Sequence, residues 1–276
     1  MTSRKKAGRQ EIYIGTSDKS RIMQERILST MDMRREADSK YVVSYGGGIN
    51  STAMIVFLVG KKFPLDYVVF SDTGDEMPET YEYLDVMARY LRRRNITFEV
   101  VRVKNKTSLS DRCLKRKVIP SQIWRWCTRD MKVRPIHAFY RKLDSHVYQY
   151  MGIDYGEVHR MKPAKVDYVT NLYPLIDFKI GRDECIRLIK KARLSIPVKS
   201  GCYMCPFNNM ERWQEIHEKH PDLYQYAMKI EENGKHFGKQ NLAPKGHTLR
   251  GLEGLIKKNR LPIVQVDSPC GSECMV

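Results

Sequence analysis

Cys202 and Cys205 stand between Gly201 and Pro206 with two residues separating them, a turn and spacing that let two thiolates converge on one metal ion. The same spacing suits a redox disulfide, although no thioredoxin-like pattern of strand and helix surrounds it. Cys127 is the best third ligand, because the basic residues around it favour its thiolate form. The fourth position is open among Cys270, Cys274, Cys113, Cys185 and His217, and Cys270 in the tail is the one assigned. Cys185 lies in an apolar helical pattern and reads as core; Cys113 lies in a basic helix and reads as a bystander. Such a set takes iron and sulfide or zinc, and ligand type barely separates the two.

A second candidate site begins at Ser44, where a short apolar strand runs into Gly46-Gly47-Gly48 and then a helix. Glycines at such a turn let the backbone approach a ligand closely, and the first N–H groups of the helix attract a phosphate. Asn50, Ser51 and Thr52 add side-chain donors. The run lacks the lysine of a Walker A loop and the spacing of a dinucleotide fingerprint, and a tight turn without a ligand is the plain alternative. Further on, Asp72, Thr73, Gly74, Asp75 and Glu76 follow an apolar strand. Their carboxylates can position a ribose or a magnesium ion, or simply shape a turn before the helix that Pro78 and Glu79 begin. Arg129, Lys132, Arg134 and Arg160 can pair with phosphate or sulfate, or be ordinary solvated cations. Cys274, two residues from the end, can attack a sulfate, relay a persulfide or add a metal ligand.

Ser44 to Thr52 resembles the PP-loop of the ATP pyrophosphatases, written Ser-Gly-Gly-X-Asp-Ser. Gly47, Gly48 and Ser51 agree with it; Gly46 stands in place of the serine and Asn50 in place of the aspartate. Those departures bear on ATP cleavage more than on phosphate binding, which rests on backbone groups. Asp72 to Thr80 is similar to the Asp-Thr-Gly-X-Glu-X-Pro-Glu-Thr signature of phosphoadenosine phosphosulfate (PAPS) reductase-like proteins, and Cys127 to Pro135 to their Cys-Thr-X-X-X-Lys-X-X-Pro segment. Similarity resumes at Gly152 to Arg160, Tyr173 to Asp177 and Gly201 to Phe207. On these motifs the chain is identified as a member of the PP-loop adenine nucleotide alpha hydrolase superfamily, in its PAPS reductase-like family. The resemblance implies ATP or PAPS with magnesium, held by Ser44, Gly46, Gly47, Gly48, Asn50, Ser51, Thr52, Asp72, Thr73, Gly74 and Glu76. It implies that Lys132 and Arg160 face the nucleotide and act with Asp72 and Cys274. Related PP-loop proteins carry a 4Fe-4S cluster, some with one iron lacking a protein ligand, so Cys127, Cys202 and Cys205 would suffice. In the tail, Glu273-Cys274 matches the start of the reductases' Glu-Cys-Gly-Leu-His, and Met275-Val276 departs from it.

The elements that must position these groups alternate. Strands are expected at Tyr41–Ser44, Tyr67–Phe70, Thr97–Val103 and Val147–Met151, with helices over Ala53–Val59 and Glu79–Arg94 between them. That alternation predicts an α/β fold, a mostly parallel twisted sheet with helices on both faces, whose ligands gather beyond the carboxyl ends of the strands. Helices at Glu184–Ala192, Glu211–Lys219, Asp222–Glu232 and Leu249–Lys258 predict a mainly helical, cysteine-bearing C-terminal extension. The expected divisions are a basic N-terminal arm over 1–38, with a short helix in Ile22–Met33, a nucleotide-binding domain over 39–180 and the helical region over 181–276. No apolar run reaches the roughly 20 residues a membrane span needs, and the basic start lacks the apolar core of a signal peptide. A cytoplasmic protein is expected, with reduced thiols.

The 276 residues carry a net charge of +17, from 49 basic against 32 acidic side chains. Such an excess attracts polyanions, DNA or RNA first among them, though a basic surface can also simply keep a protein in solution. The leading expectation is ATP-dependent activation of a nucleic acid followed by sulfur transfer from the cluster or a thiol, with a cysteine desulfurase as a candidate sulfur donor. The alternatives are a sulfonucleotide reductase acting through Cys274, and a non-catalytic nucleic-acid-binding protein with structural zinc.

Overall fold

The computed structural model describes Thr30 and residues 34–234, 241–244 and 246–258. Most of the expected N-terminal arm, including its short helix, and the tail with Cys270 and Cys274 lie outside the described residues.

Five strands form one parallel sheet: β1 (Ser39–Tyr45), β2 (Tyr67–Ser71), β3 (Thr97–Val101), β4 (His146–Met151) and β5 (Val169–Leu172), in the order β3-β2-β1-β4-β5. Helices α1 (Ile49–Gly60), α2 (Pro78–Arg92), α3 (Leu109–Arg116) and α4 (Arg134–Tyr140) precede β4. A π-helical turn, Thr128–Val133, runs directly into α4. After β4 come a 3-10 turn (Tyr155–Arg160), β5, α5 (Pro174–Asp177), α6 (Arg182–Lys191), α7 (Met210–Lys219), α8 (Pro221–Asn233) and α9 (Leu249–Lys257).

The β-branched and aromatic run of β1 is buried on both faces. Tyr41, Val43 and Tyr45 enter one core with Ala53, Leu58, Leu84, Met87 and Leu91 of α1 and α2, while Val42 packs on the other side with Ile136 and Tyr140 of α4. Burying each such side chain contributes about 1.5–3 kcal/mol, which is why continuous apolar runs suit a parallel sheet covered on both faces. Cys185 and Ile189 of α6 also belong to the first core, with the cysteine fully buried as its apolar pattern predicts.

A second core lies beside the sheet. It joins Met77, Leu109 and Cys113, Met131 of the π-helical turn, Cys202 to Cys205, and Trp213, Tyr224, Leu249 and Leu252 from α7, α8 and α9. The buried Glu231 carboxylate accepts backbone N–H bonds from Leu242 at 2.8 Å, Ala243 at 3.4 Å and Leu249 at 2.7 Å, fastening the segment before α9 to α8. Among the described residues no helix is long and apolar enough to cross a membrane.

Ser44 of β1 is level with Val69 of β2 and Met151 of β4. The loops that leave these strands therefore open at one edge. The chain turns from β1 towards β2 and later crosses to β4, so the connections beyond the carboxyl ends of β1 and β4 part and leave the crevice in which such sheets bind ligands.

Candidate functional site

Gly47 has φ +76°, a left-handed conformation that glycine adopts without strain. A Cβ there would come within 3.3 Å of Thr80 Cγ2 and 3.4 Å of Ser200 Cβ. The phosphate-loop candidate therefore touches both the start of α2 and the residue two before Cys202. Gly48 is the N-cap of α1, with no side-chain hydrogen bond at the cap, so no hydroxyl or carboxylate of the cap residue competes for the first-turn N–H groups. The Thr80 hydroxyl beside the loop is buried without a hydrogen-bond partner among the described residues. An uncapped glycine turn and an orphaned buried hydroxyl are what a phosphate would satisfy.

The side chains expected to add donors are turned inward. Asn50 donates to Asp154 at 2.9 Å and to Glu157 at 3.1 Å, and accepts from Arg182 at 2.8 Å. Ser51 Oγ donates to the Gly48 carbonyl at 3.2 Å, and Thr52 shares a hydrogen bond with the Tyr45 hydroxyl at 3.1 Å. Ser44 is buried in β1. Arg160 bonds Glu157 at 2.7 Å and so reaches the α1 N-terminus through Asn50. The turn after β4 presses on the same place, since a Cβ on Gly152 would lie 2.6 Å from Ser51 Cα.

The second loop holds itself. Asp72 accepts from the Tyr81 hydroxyl at 2.8 Å and the Gly74 N–H at 2.7 Å, and pairs with Arg102. Burial first, and then the Asp72 carboxylate, push the Tyr81 hydroxyl's pKa up. Thr73 donates to Glu76 at 2.9 Å, and Lys132 pairs with Glu76 at 3.2 Å. With Asp72 and Glu76 each paired to a cation, this loop does not present an open carboxylate pair for magnesium. Asp75 accepts from the Ser110 N–H at 2.6 Å and the Tyr203 hydroxyl at 3.3 Å, and burial pushes its carboxyl pKa up. Of the four expected phosphate-binding cations, Lys132 and Arg160 line this edge. Arg129 and Arg134 instead pair with Asp130 and are largely exposed.

The same loop joins the cysteine turn. Glu76 bridges to Cys202 in antiparallel fashion, Met77 N–H donates to the Gly201 carbonyl at 3.0 Å, and Tyr203 N–H to the Asp75 carbonyl at 3.2 Å. Cys127 packs against the core that contains Cys113, Cys202 and Cys205. Cys113 stands next to the candidate centre, and burial first, then the neighbouring Cys127, push its thiol's pKa up. Burial pushes the Cys185 thiol up to about 12, in the separate sheet core. Among the described residues no three His, Cys, Asp or Glu side chains form a group that could hold a metal ion. The three expected ligands thus share one region without forming a ready cage, and Cys270 lies outside the described residues.

Residues 40–166 match the family model described as the phosphoadenosine phosphosulfate reductase domain. This segment, just under half of the chain, is similar to the PAPS reductase-like family. It spans the glycine turn, the Asp72 loop, Cys127 and Arg160, whereas Cys202 and Cys205 lie beyond the matched segment. Two curated relatives are the uncharacterized proteins MJ0973 and MJ0066 of Methanocaldococcus jannaschii. They are 25% identical over 194 residues and 23% identical over 200 residues, and the matches cover 66% and 67% of this chain. The chain spans less than half the length of each, 45% and 40%. A solved PAPS reductase from Candida auris in complex with phosphate is 15% identical, with a TM-score of 0.42, over 59% of this chain and 76% of that one.

Arg102 and Arg182 are the site cations that the sequence did not single out. Nothing local marks Arg102, because its partner Asp72 lies 30 positions earlier; Arg182 lies 132 positions from Asn50. A cleft of about 600 Å³ lined by Arg34, Arg35, Lys62, Phe63 and Arg94 opens at the amino ends of the strands, away from all these motifs.

Proposed function

We propose that this chain is an adenine nucleotide-dependent enzyme that activates an oxygen of a nucleic acid and replaces it with sulfur. The observation that carries the reading is the junction of the two halves of the crevice: Gly47 lies against Ser200, and Glu76 is bridged to Cys202. Phosphates held by the first-turn N–H groups of α1 are then close to a turn bearing two thiols. In this reading ATP gives up pyrophosphate as the acceptor oxygen takes the adenylyl group, and a sulfur delivered at the cysteine turn displaces it as AMP. Lys132 and Arg160 neutralise phosphate charge at the crevice edge, and the +17 charge draws in the nucleic acid. Cys127, Cys202 and Cys205 are the residues that would hold a 4Fe-4S cluster, which would supply a sulfur or electron relay.

The test is pyrophosphate release from ATP, measured with and without added DNA or RNA. Release that rises with nucleic acid is the expected result. The family match favours a second reading, a sulfonucleotide reductase using Cys274, whose product would be sulfite from PAPS in the presence of a thiol reductant. Binding without either product would leave a non-catalytic nucleic-acid-binding protein. Iron, sulfide and zinc counts after anaerobic purification decide the metal.

A further inference from the structure

The segment between α3 and the π-helical turn carries the two most exposed large apolar side chains among the described residues, Ile123 at 79% and Trp124 at 78%. An indole held in water is unfavourable unless something covers it. The loop is nevertheless well anchored. Ser121 Oγ accepts from the N–H groups of Ile123 and Trp124 at 3.2 and 3.3 Å, and Trp126 donates its indole N–H to the Ile119 carbonyl at 2.9 Å. Two contacts fasten it to the cysteine turn: Gln122 donates to the Pro206 carbonyl at 2.5 Å, and the Arg125 guanidinium lies 5.7 Å from the Phe207 ring centre. Ile123 and Trp124 are therefore the tip of a fixed projection beside Cys202 and Cys205.

The sequence on either side of that tip is strongly basic. From Arg112 to Arg134 there are eight Lys and Arg residues and one acid, Asp130. Asp130 is already paired with Arg112, Arg129 and Arg134. Lys115, Arg116 and Lys117 are exposed at the end of α3, and the side chains of Arg129 and Arg134 are 63% and 66% exposed.

We propose that Trp124, backed by Ile123, is a stacking platform for an unpaired base of a single-stranded nucleic acid whose phosphates run along these cations. The proposal deepens the preceding functional reading and rests on it. Aromatic faces interleaved with cations suit single strands, because every base offers a π face and every linkage a negative charge. A protein partner is disfavoured by the same composition. The centres of protein interfaces are depleted in charge, and a segment with eight cations and one acid would repel a second copy of this chain.

The test uses the full chain and labelled oligonucleotides of mixed sequence, as single-stranded DNA, single-stranded RNA and duplex, titrated over a range of salt. Trp124→Ala is expected to weaken single-strand binding roughly tenfold, the size of one base-stacking contact, with the salt slope unchanged. Trp124→Phe should keep most of the affinity, and Trp124→Leu should behave like the alanine variant, which separates stacking from apolar cover. Arg129→Gln should instead lower the salt slope by about 0.7. Wild-type binding with Trp124→Ala within twofold of it overturns the platform while leaving the functional reading standing. No wild-type binding to any oligonucleotide overturns both. A wild-type dimer that Trp124→Ala converts to monomer would overturn the platform in favour of a protein interface.

Discussion

Asn50 donates both of its amide bonds to carboxylates, Asp154 and Glu157, and accepts from Arg182. An aspartate at this position, as in the PP-loop pattern, would set a third negative charge against those two. Asn50→Asp is therefore expected to lower stability at neutral pH by about 1–3 kcal/mol, with no gain in ATP turnover; urea unfolding and pyrophosphate assays check the two halves. The sequence displayed Asn50 as a departure but not its reason, because its partners lie 104 to 132 positions further on. Asp130 offers a pH test. Burial works against its charge, but the Arg129 hydrogen bond and the charges of Arg129, Arg134 and Arg112 prevail and hold its carboxyl below the usual range. A depressed carboxylate contributes stability above its unfolded pKa of about 3.9, and loses it as pH falls through the lower folded value. Asp130→Asn should cost about 1 kcal/mol at pH near 7, since Arg129 and Arg134 are largely solvated, and the deficit should close in acid unfolding titrations.

Among the elements, the N-terminus of α1 is fixed by a neighbour rather than by its own cap. Gly152, just beyond β4, packs so closely that a Cβ would lie 2.6 Å from Ser51 Cα and 2.8 Å from Ser51 N. Gly152→Ala must push α1 away, at a cost of about 1–3 kcal/mol, and is expected to weaken ATP binding at least as markedly as it lowers stability; calorimetric titration with ATP measures it. The strands most visible in the sequence were those with unbroken apolar runs, such as Tyr41–Ser44 and Tyr67–Phe70, because burial on both faces demands such residues. β5 was not visible: it has four residues, two of them the polar Thr170 and Asn171. Asn171 accepts at its side-chain carbonyl from Gln149 at 2.9 Å and donates to the Lys162 carbonyl at 3.0 Å, partners that no run of strand formers reveals. The π-helical turn was equally hidden, since no side-chain period distinguishes six residues of it from the α-helix that follows.

At the scale of the molecule, the buried Glu231 carboxylate fastens the last helix and the segment before it to the helical core. Glu231→Ala would leave the N–H groups of Leu242, Ala243 and Leu249 without their acceptor, at about 3 kcal/mol. Hydrogen exchange should then rise first across α7 to α9, ahead of the strands.

That helical core also has a consequence in time. It begins with Met77 and Cys113 and is completed by Leu249 and Leu252. A ribosome adding 5–20 residues per second takes on the order of ten seconds to make the stretch from Cys113 to Leu252. Through that interval Cys113 awaits its covering helices, so oxidants or loose metal ions present during translation meet this thiol before the finished protein encloses it.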